Sequence, residues 1–227
     1  MRPLIVQSTT FLTLLGGSST HFGHLDQALR LAPILVTADG GADLAIESGH
    51  APAHVIGDMD SISQTAQNLI PRENQHLIED QDGTDFDKCL RHIQAPAILA
   101  LGFSGGRLDH QLAACTTLVR HPDQRCVMIA QEDVCFLAPL AFTIDLPSGT
   151  AFSLFPMGAV EGRSTGLKYP IDGLKFTPDG QVGTSNEVTG PVKLSFDKRL
   201  MLVLLPVAHL ELVLEVLAGP TPGADAS

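Results

Sequence analysis

The sequence predicts an α/β protein with an amino-terminal, mostly parallel sheet flanked by helices and a carboxy-terminal antiparallel β-sandwich domain. Three observations predict it. Up to residue 133, short apolar runs alternate with stretches of helical spacing, the grammar of a parallel sheet covered on both faces. Beyond 133, helical spacing disappears and short β-like runs are punctuated by Pro and Gly. Polar loops rich in Asp and Gly follow the apolar runs or open the helical ones, where open α/β sheets gather their ligands.

Taken in order, residues 11–15, 34–37, 54–56, 98–101 and 125–130 are short apolar runs that predict strands. Between them, 22–31, 42–48, 65–69, 84–92 and 108–120 predict helices. In the last of these, Leu108, Leu112, Cys115 and Leu118-Val119 recur at helical spacing and give one apolar face. Thr84 is placed to cap the 84–92 helix, with Asp87 in its first turn. Pro71 and Pro96 fall in connections, where a missing amide donor does no damage. In the second part, Pro147-Ser148-Gly149, Pro156-Met157-Gly158, Pro178-Asp179-Gly180 and Gly190-Pro191 mark turns between strands. Residues 200–206 and 210–217 predict a closing hairpin around Val207-Ala208-His209. The domains are therefore 1–133 and 134–218, and 219–227 holds too little apolar content to pack and predicts a disordered tail.

Composition narrows the class. Apolar residues make up 44% of the 227, enough for a real core, but aromatics only 5%, so that core must rest on Leu, Ile, Val and Ala. A formal net charge of −11 argues against a nucleic-acid partner, because no basic surface is available to offset backbone phosphates. ATP remains compatible, since it arrives with its cation and needs only local donors. Cys89, Cys115, Cys126 and Cys135 form no C-x-x-C pair and read as buried thiols rather than disulfide partners or zinc ligands. Pro3 and the polar run Gln7-Ser8-Thr9-Thr10 interrupt any leader-like segment, and the apolar run 200–207 is too short to span a bilayer as a helix. The expectation is a cytoplasmic enzyme with no membrane partner.

The loops carry the chemistry. Gly57-Asp58-Met59-Asp60-Ser61 and Asp80-Gln81-Asp82-Gly83-Thr84-Asp85 crowd carboxylates whose mutual repulsion a divalent cation relieves, commonly Mg²⁺ holding phosphate oxygens. Asp and Gly are also ordinary turn formers, so no single loop decides the matter. Ala38-Asp39-Gly40-Gly41-Ala42-Asp43 follows a strand and opens a helix, and Gly40-Gly41 permits close approach of a ligand to the backbone. The Lys-bearing phosphate loop G-x-x-x-x-G-K-[ST] is absent, and the glycines of Gly102-Phe103-Ser104-Gly105-Gly106-Arg107 do not have dinucleotide spacing. Lys88 and Arg107 are the cations nearest the acidic loops, and the planar fork of Arg107 suits phosphate better. Together the loops read as a metal-dependent phosphoryl-transfer site.

The chain also resembles a known family. Ala38-Asp39-Gly40-Gly41-Ala42, Ile56-Gly57-Asp58-Met59-Asp60-Ser61-Ile62, Asp80-Gln81 with Thr84-Asp85-Phe86-Asp87-Lys88, and Gly105-Gly106-Arg107-Leu108-Asp109-His110 are similar to the successive signatures of thiamine pyrophosphokinases (thiamine diphosphokinases). Ser164-Thr165-Gly166-Leu167-Lys168-Tyr169-Pro170 and Gly183-Thr184-Ser185-Asn186-Glu187 extend the likeness into the second domain. The resemblance implies an amino-terminal ATP- and metal-binding catalytic domain and a β-sandwich that binds thiamine. It implies transfer of the terminal diphosphoryl group of ATP to the hydroxyl of thiamine with release of AMP, in a homodimer with active sites at the interface.

On that footing Asp58, Asp60 and Asp85 are the expected Mg²⁺ ligands and catalytic carboxylates, with Asp82 and Asp39 as alternatives. Arg107 is expected to hold transferring phosphate oxygens. The expected nucleotide contacts include Gly40, Gly41, Ser104, Gly105 and Gly106, while Asp109 and His110 position their loop and Lys88 faces either the site or solvent. Tyr169, Thr184, Ser185 and Asn186 are the expected thiamine contacts. Many family members place Trp near the start of the second motif of the β domain; this chain has no Trp, and Tyr169 is the available aromatic. A general base, if any, is expected among the carboxylates of 82–85. Another heterocyclic alcohol as acceptor, such as a hydroxymethylpterin, and a non-catalytic ATP-binding sensor remain the alternative readings.

Overall fold

The computed structural model describes residues 3–18, 22–79 and 83–218. The chain divides into two compact units between Gln131 and Glu132. The first contains β1 (Val6–Gln7), β2 (Leu12–Leu15), α1 (Phe22–Leu31), β3 (Ile34–Ala38), α2 (Gly41–Glu47), β4 (His54–Gly57), α3 (Gln64–Leu69), β5 (Gln75–Leu77), α4 (Asp85–His92), β6 (Ile93–Gln94), β7 (Ile98–Leu101), α5 (Leu108–Arg120) and β8 (Cys126–Ile129). Its main sheet runs β5-β4-β3-β2-β7-β8, and every pairing is parallel.

The apolar runs are continuous rather than alternating because the central strands are covered on both faces: all four residues of β2 and of β7 are buried. Where the sequence puts a polar residue into this interior, it is bonded. Thr13 Oγ1 donates to Ala32 O at 2.7 Å and so ties β2 to the end of α1. The chain winds outward from β2 to β5, then crosses to β7 on the other side of β2, so the direction of winding reverses between β2 and β7. Ligands bind at such a reversal, beyond the carboxyl ends of the strands.

β1, β5 and β6 carry no strand signal in the sequence. They are two or three residues long, and β5 is an edge strand whose residues are half-buried or exposed, so no apolar run marks it. β5 sets His76 beside His54 of β4, with Nδ1 and Nε2 3.1 Å apart. Burial lowers both imidazoles below their ordinary 6.5, and the His54 ring adds to the effect on His76. A histidine depressed in the folded state stabilises above its unfolded value and loses that contribution as pH falls. The thermal midpoint should therefore decline as pH drops below 6.5. His76→Gln should decline less over the same window, and identical pH profiles for the two proteins would remove the pair from the account.

The second unit holds β9 (Asp133–Leu137), β10 (Ala141–Ile144), β11 (Ala151–Pro156), β12 (Val160–Leu167), β13 (Lys175–Phe176), β14 (Gly183–Phe196), β15 (Met201–Pro206) and α6 (Leu210–Ala218). These strands pair antiparallel. The 14-residue β14 belongs to two ladders: its first part pairs with β11, and its last part lies between β10 and β12. The expected hairpin arm at 210–217 is instead helix α6, packed on β10. Leu210, Val213, Leu214 and Leu217 are its buried residues, a three-four-seven spacing hidden by the equally apolar Leu212 and Val216 between them. The tail expected at 219–227 lies outside the described residues.

Candidate active site

The acidic loops meet at the carboxyl edge of the parallel sheet. β3 and β4 are neighbours in register, with Ala38 opposite Ile56, so Asp39 stands against Gly57 and one residue short of Asp58. Gly57 makes room for this: a Cβ there would lie 2.8 Å from Asp39 Cβ. Met59 has φ 62° and turns the chain so that Asp60 falls beside Asp58. Carboxylate oxygens of Asp39, Asp58 and Asp60 all lie within 4.8 Å of one another.

Asp39 is 2% exposed, and its Oδ1 is buried without a hydrogen-bond partner among the described residues, while Ser61 N donates to Oδ2 at 3.2 Å. Burial first, then the charge of Asp85 and the adjoining Asp60 carboxyl, push Asp39 up to about 6. An unpartnered buried oxygen among converging hard donors is what a divalent cation fits. The loops after β3 and β4 therefore supply a triad that differs from the expected one: Asp39, the alternative ligand, stands in it, and Asp85 stands outside.

Asp85 is held by Lys88, whose Nζ donates to Asp85 Oδ1 at 3.0 Å and to Asp58 Oδ2 at 2.8 Å. Lys88 is buried and faces the site, which settles its orientation. Burial opposes its charge, but the two carboxylates outweigh burial and raise its pKa. The same contact, led by the hydrogen bond, lowers Asp58. Helix α4 presents Lys88 because Thr84 caps it, accepting from Asp87 N at 3.3 Å, and Asp85 and Asp87 sit in its first turn. Asp87 is also buried and anchors the opposite side of α4, where His121 Nε2 lies 2.8 Å from its Oδ1 and Arg91 Nε 3.0 Å from its Oδ2. Asp82 lies outside the described residues.

The loops after β2, β3 and β7 complete a cavity of about 880 Å³ within the first unit. Gly16 and Gly102 are in backbone contact, and Gly102, at φ 73°, would place a Cβ 2.3 Å from Gly16 O. Gly40 lines the cavity, whereas Gly41 packs beneath it: a Cβ on Gly41 would sit 2.2 Å from Leu15 O. Ser104 Oγ donates to Ile129 O at 3.4 Å, and Gly105 and Gly106 both take positive φ, which turns the chain into α5. Arg107 and His110 line the cavity's rim and are exposed. The Arg107 fork rests on Asp109, with Nε–Oδ1 3.1 Å and Nη2–Oδ2 2.5 Å, so Asp109 holds the Arg107 guanidinium.

Two features have no sequence signal of their own. Phe86 and Phe103 stack at 4.2 Å between centroids and form a wall of the cavity. Asp43 holds Ser63 through both its hydroxyl and its amide and so ties α2 to the start of α3 on the cavity's flank. No disulfide joins the cysteines, and no helix among the described residues is long and apolar enough to cross a membrane.

In the second unit, β12 and β14 bring together the two stretches that carry the resemblance. Lys168 N donates to Glu187 O at 2.9 Å, and Lys168 Nζ meets Glu187 Oε2 at 3.1 Å. Thr184 and Ser185 are exposed at a register break opposite Ser153, and Ser185 takes φ 61°. Tyr169 is 60% exposed. Asn186, expected to offer its amide to a ligand, is buried, and its amide is committed to backbone atoms.

The family model "Thiamin pyrophosphokinase, catalytic domain" matches residues 25–130, and "Thiamin pyrophosphokinase, vitamin B1 binding domain" matches 141–201. Thiamine pyrophosphokinase 1 of Arabidopsis thaliana is 28% identical over 231 residues, covering 82% of this chain and 86% of the relative. The solved thiamin pyrophosphokinase of Candida albicans shares the fold with a TM-score of 0.69 at 18% identity, over 91% of this chain and 94% of that one. The yeast thiamin pyrophosphokinase gives 0.72 at 16%, over 92% and 89%. Two models of one family, matched in order over most of the chain and laid on a fold of the same mixed α/β kind, place the acidic site in the catalytic part: the chain belongs to the thiamin pyrophosphokinase family.

Proposed function

We propose that this protein is a thiamine diphosphokinase, moving a diphosphoryl group from ATP to the hydroxyl of thiamine. The carrying observation is the Asp39, Asp58, Asp60 triad beside Lys88 and Asp85, at the carboxyl edge of a parallel sheet matched by the family's catalytic model. The triad's hard oxygens suit Mg²⁺, which when bound would neutralise charge on the phosphate oxygens. Lys88 holds Asp58 and Asp85 in place through its two hydrogen bonds and lowers the pKa of Asp58. The Arg107 fork exchanges Asp109 for phosphate oxygens, and the backbone of Ser104-Gly105-Gly106 approaches the nucleotide. Thr184, Ser185 and Tyr169 offer the second unit's contacts to thiamine, and the long β14 shared by two ladders supports reading that unit as a sandwich.

The transfer forms a bond from the thiamine oxygen to the β phosphorus and breaks the bond from that phosphorus to the oxygen bridging the α phosphorus. AMP departs with the bridging oxygen. The hydroxyl proton leaves to Asp85 or to water, and alignment with charge neutralisation supplies most of the rate. The test is product identity. AMP with thiamine diphosphate is expected; ADP with thiamine monophosphate, or turnover of a hydroxymethylpterin alone, would reject the reading. A homodimer with active sites at its interface belongs to the same proposal. Specific activity should therefore fall on dilution below the dimer dissociation constant, and full activity of a monomer measured by light scattering would contradict it.

For Arg107→Lys we expect KM for ATP to rise about tenfold, because a point charge cannot reproduce a two-bond fork. Unaltered ATP kinetics in that variant would remove Arg107 from the site.

A further inference from the structure

Asn186 is 7% exposed at the register break of β14, and its amide is largely used up within the protein. Its Oδ1 accepts from Tyr169 N at 3.1 Å and from Glu187 N at 2.9 Å, and its Nδ2 donates to Tyr169 O at 2.8 Å. An asparagine amide has two donors and two acceptor positions, so three of four are engaged, two of them on the backbone of one residue.

That residue is Tyr169, whose ring is 60% exposed. Pro170 follows it and confines Tyr169 to extended backbone. Beyond the proline the loop is pinned again: Ile171 N donates to Ser164 Oγ at 3.0 Å, and Ser164 N donates to Asp172 Oδ2 at 3.2 Å. Before it, Lys168 is fixed on Glu187 and lies 5.9 Å from the Tyr169 ring centroid. An exposed aromatic gains nothing for folding from so rigid a mount. A flat ligand gains, because the face it meets needs no ordering on binding.

We propose that Asn186 is a positioning residue: it clasps the backbone of Tyr169 and pre-sets the ring as a face for the heterocyclic acceptor, without touching that acceptor itself. This rests on reading the second unit as the part that binds thiamine.

The chain has one Tyr and no Trp, so its intrinsic fluorescence reports Tyr169 alone. In the ligand-free protein, Asn186→Ala should lower the steady-state anisotropy of that fluorescence. The same variant should raise KM for thiamine about tenfold, with a much smaller change in kcat and in KM for ATP. Asn186→Asp keeps the accepting oxygen and loses the donor, and should fall between the parent and Asn186→Ala in both readouts. It also serves as the folded comparison if the alanine variant proves unstable by circular dichroism. Unchanged anisotropy would overturn the proposal; combined with a raised KM, it would show Asn186 contacting the acceptor directly. Lowered anisotropy with an unaltered KM would also overturn it. A parent that turns over no thiamine would reject the functional reading, while the ligand-free anisotropy would still decide the clasp.

Discussion

Asp39→Asn is expected to make the protein more stable and nearly inactive. Asparagine keeps the shape, tolerates the φ of 42° at this position, and can donate to Asp60 where Asp39 only repels it. A carboxyl displaced from 3.8 to about 6 represents roughly 3 kcal/mol, and screening through the cavity mouth reduces this to on the order of 1–2 kcal/mol. A pKa raised in the folded state means that stability is lost as pH rises through that range, so the variant's advantage should be full above about 6 and shrink as pH falls toward 3.8. Turnover should fall at least about a hundredfold, since losing one of three converging carboxylates costs several kcal/mol of transition-state stabilisation. Thermal melts across pH, with steady-state rates at saturating Mg²⁺, check both halves. A variant that is active and no more stable than the parent would show that the buried oxygen of Asp39 holds no cation.

Lys88→Met should do the reverse to stability. Removing one partner of a fully buried ion pair costs about 3–5 kcal/mol. Asp58 and Asp85 keep 22% and 36% side-chain exposure, so about 2 kcal/mol is expected. Turnover should drop about a hundredfold as Asp58 and Asp85 lose their common anchor. The sharper signature is in cation binding without nucleotide. With the ammonium gone, the carboxylates lose the cation that bonds Asp58 and Asp85, and Mg²⁺ should bind the variant more tightly and raise its melting temperature more than the parent's. Lys88→Arg should retain the charge and most of the stability. Weaker Mg²⁺ binding by Lys88→Met would mean that the lysine merely shapes the site and does not compete with the cation for Asp58.

Much of the first unit was legible because its central strands are buried on both faces, which writes them as unbroken apolar runs such as Leu12–Leu15 and Ile98–Leu101. Thr84 was legible as a cap because its hydroxyl and the acidic first turn of α4 are local features. Edge strand β5 was not, because half-exposed Gln75 and His76 need only the backbone of β4 for pairing. Helix α6 was misread because an apolar run with few polar breaks fits a strand and a buried helix equally, and only the surface it packs on decides between them. Asn186 shows the same limit within a motif: its position was visible, but the direction of its amide depends on Tyr169, 17 residues away in the chain.

The sequence by itself determined the order of strands, helices and acidic loops, and through its motifs the family, because these depend on neighbours along the chain. Only the tertiary structure decided which carboxylates meet. Parallel pairing of β3 with β4 sets Asp39 beside Asp58, and the turn at Met59 folds Asp60 back onto them. Asp85, on a helix capped across the cleft, is taken up by the lysine one turn further on. Spacing along the chain cannot rank such contacts, because the distance between two loops is fixed by which strands lie next to each other in the sheet.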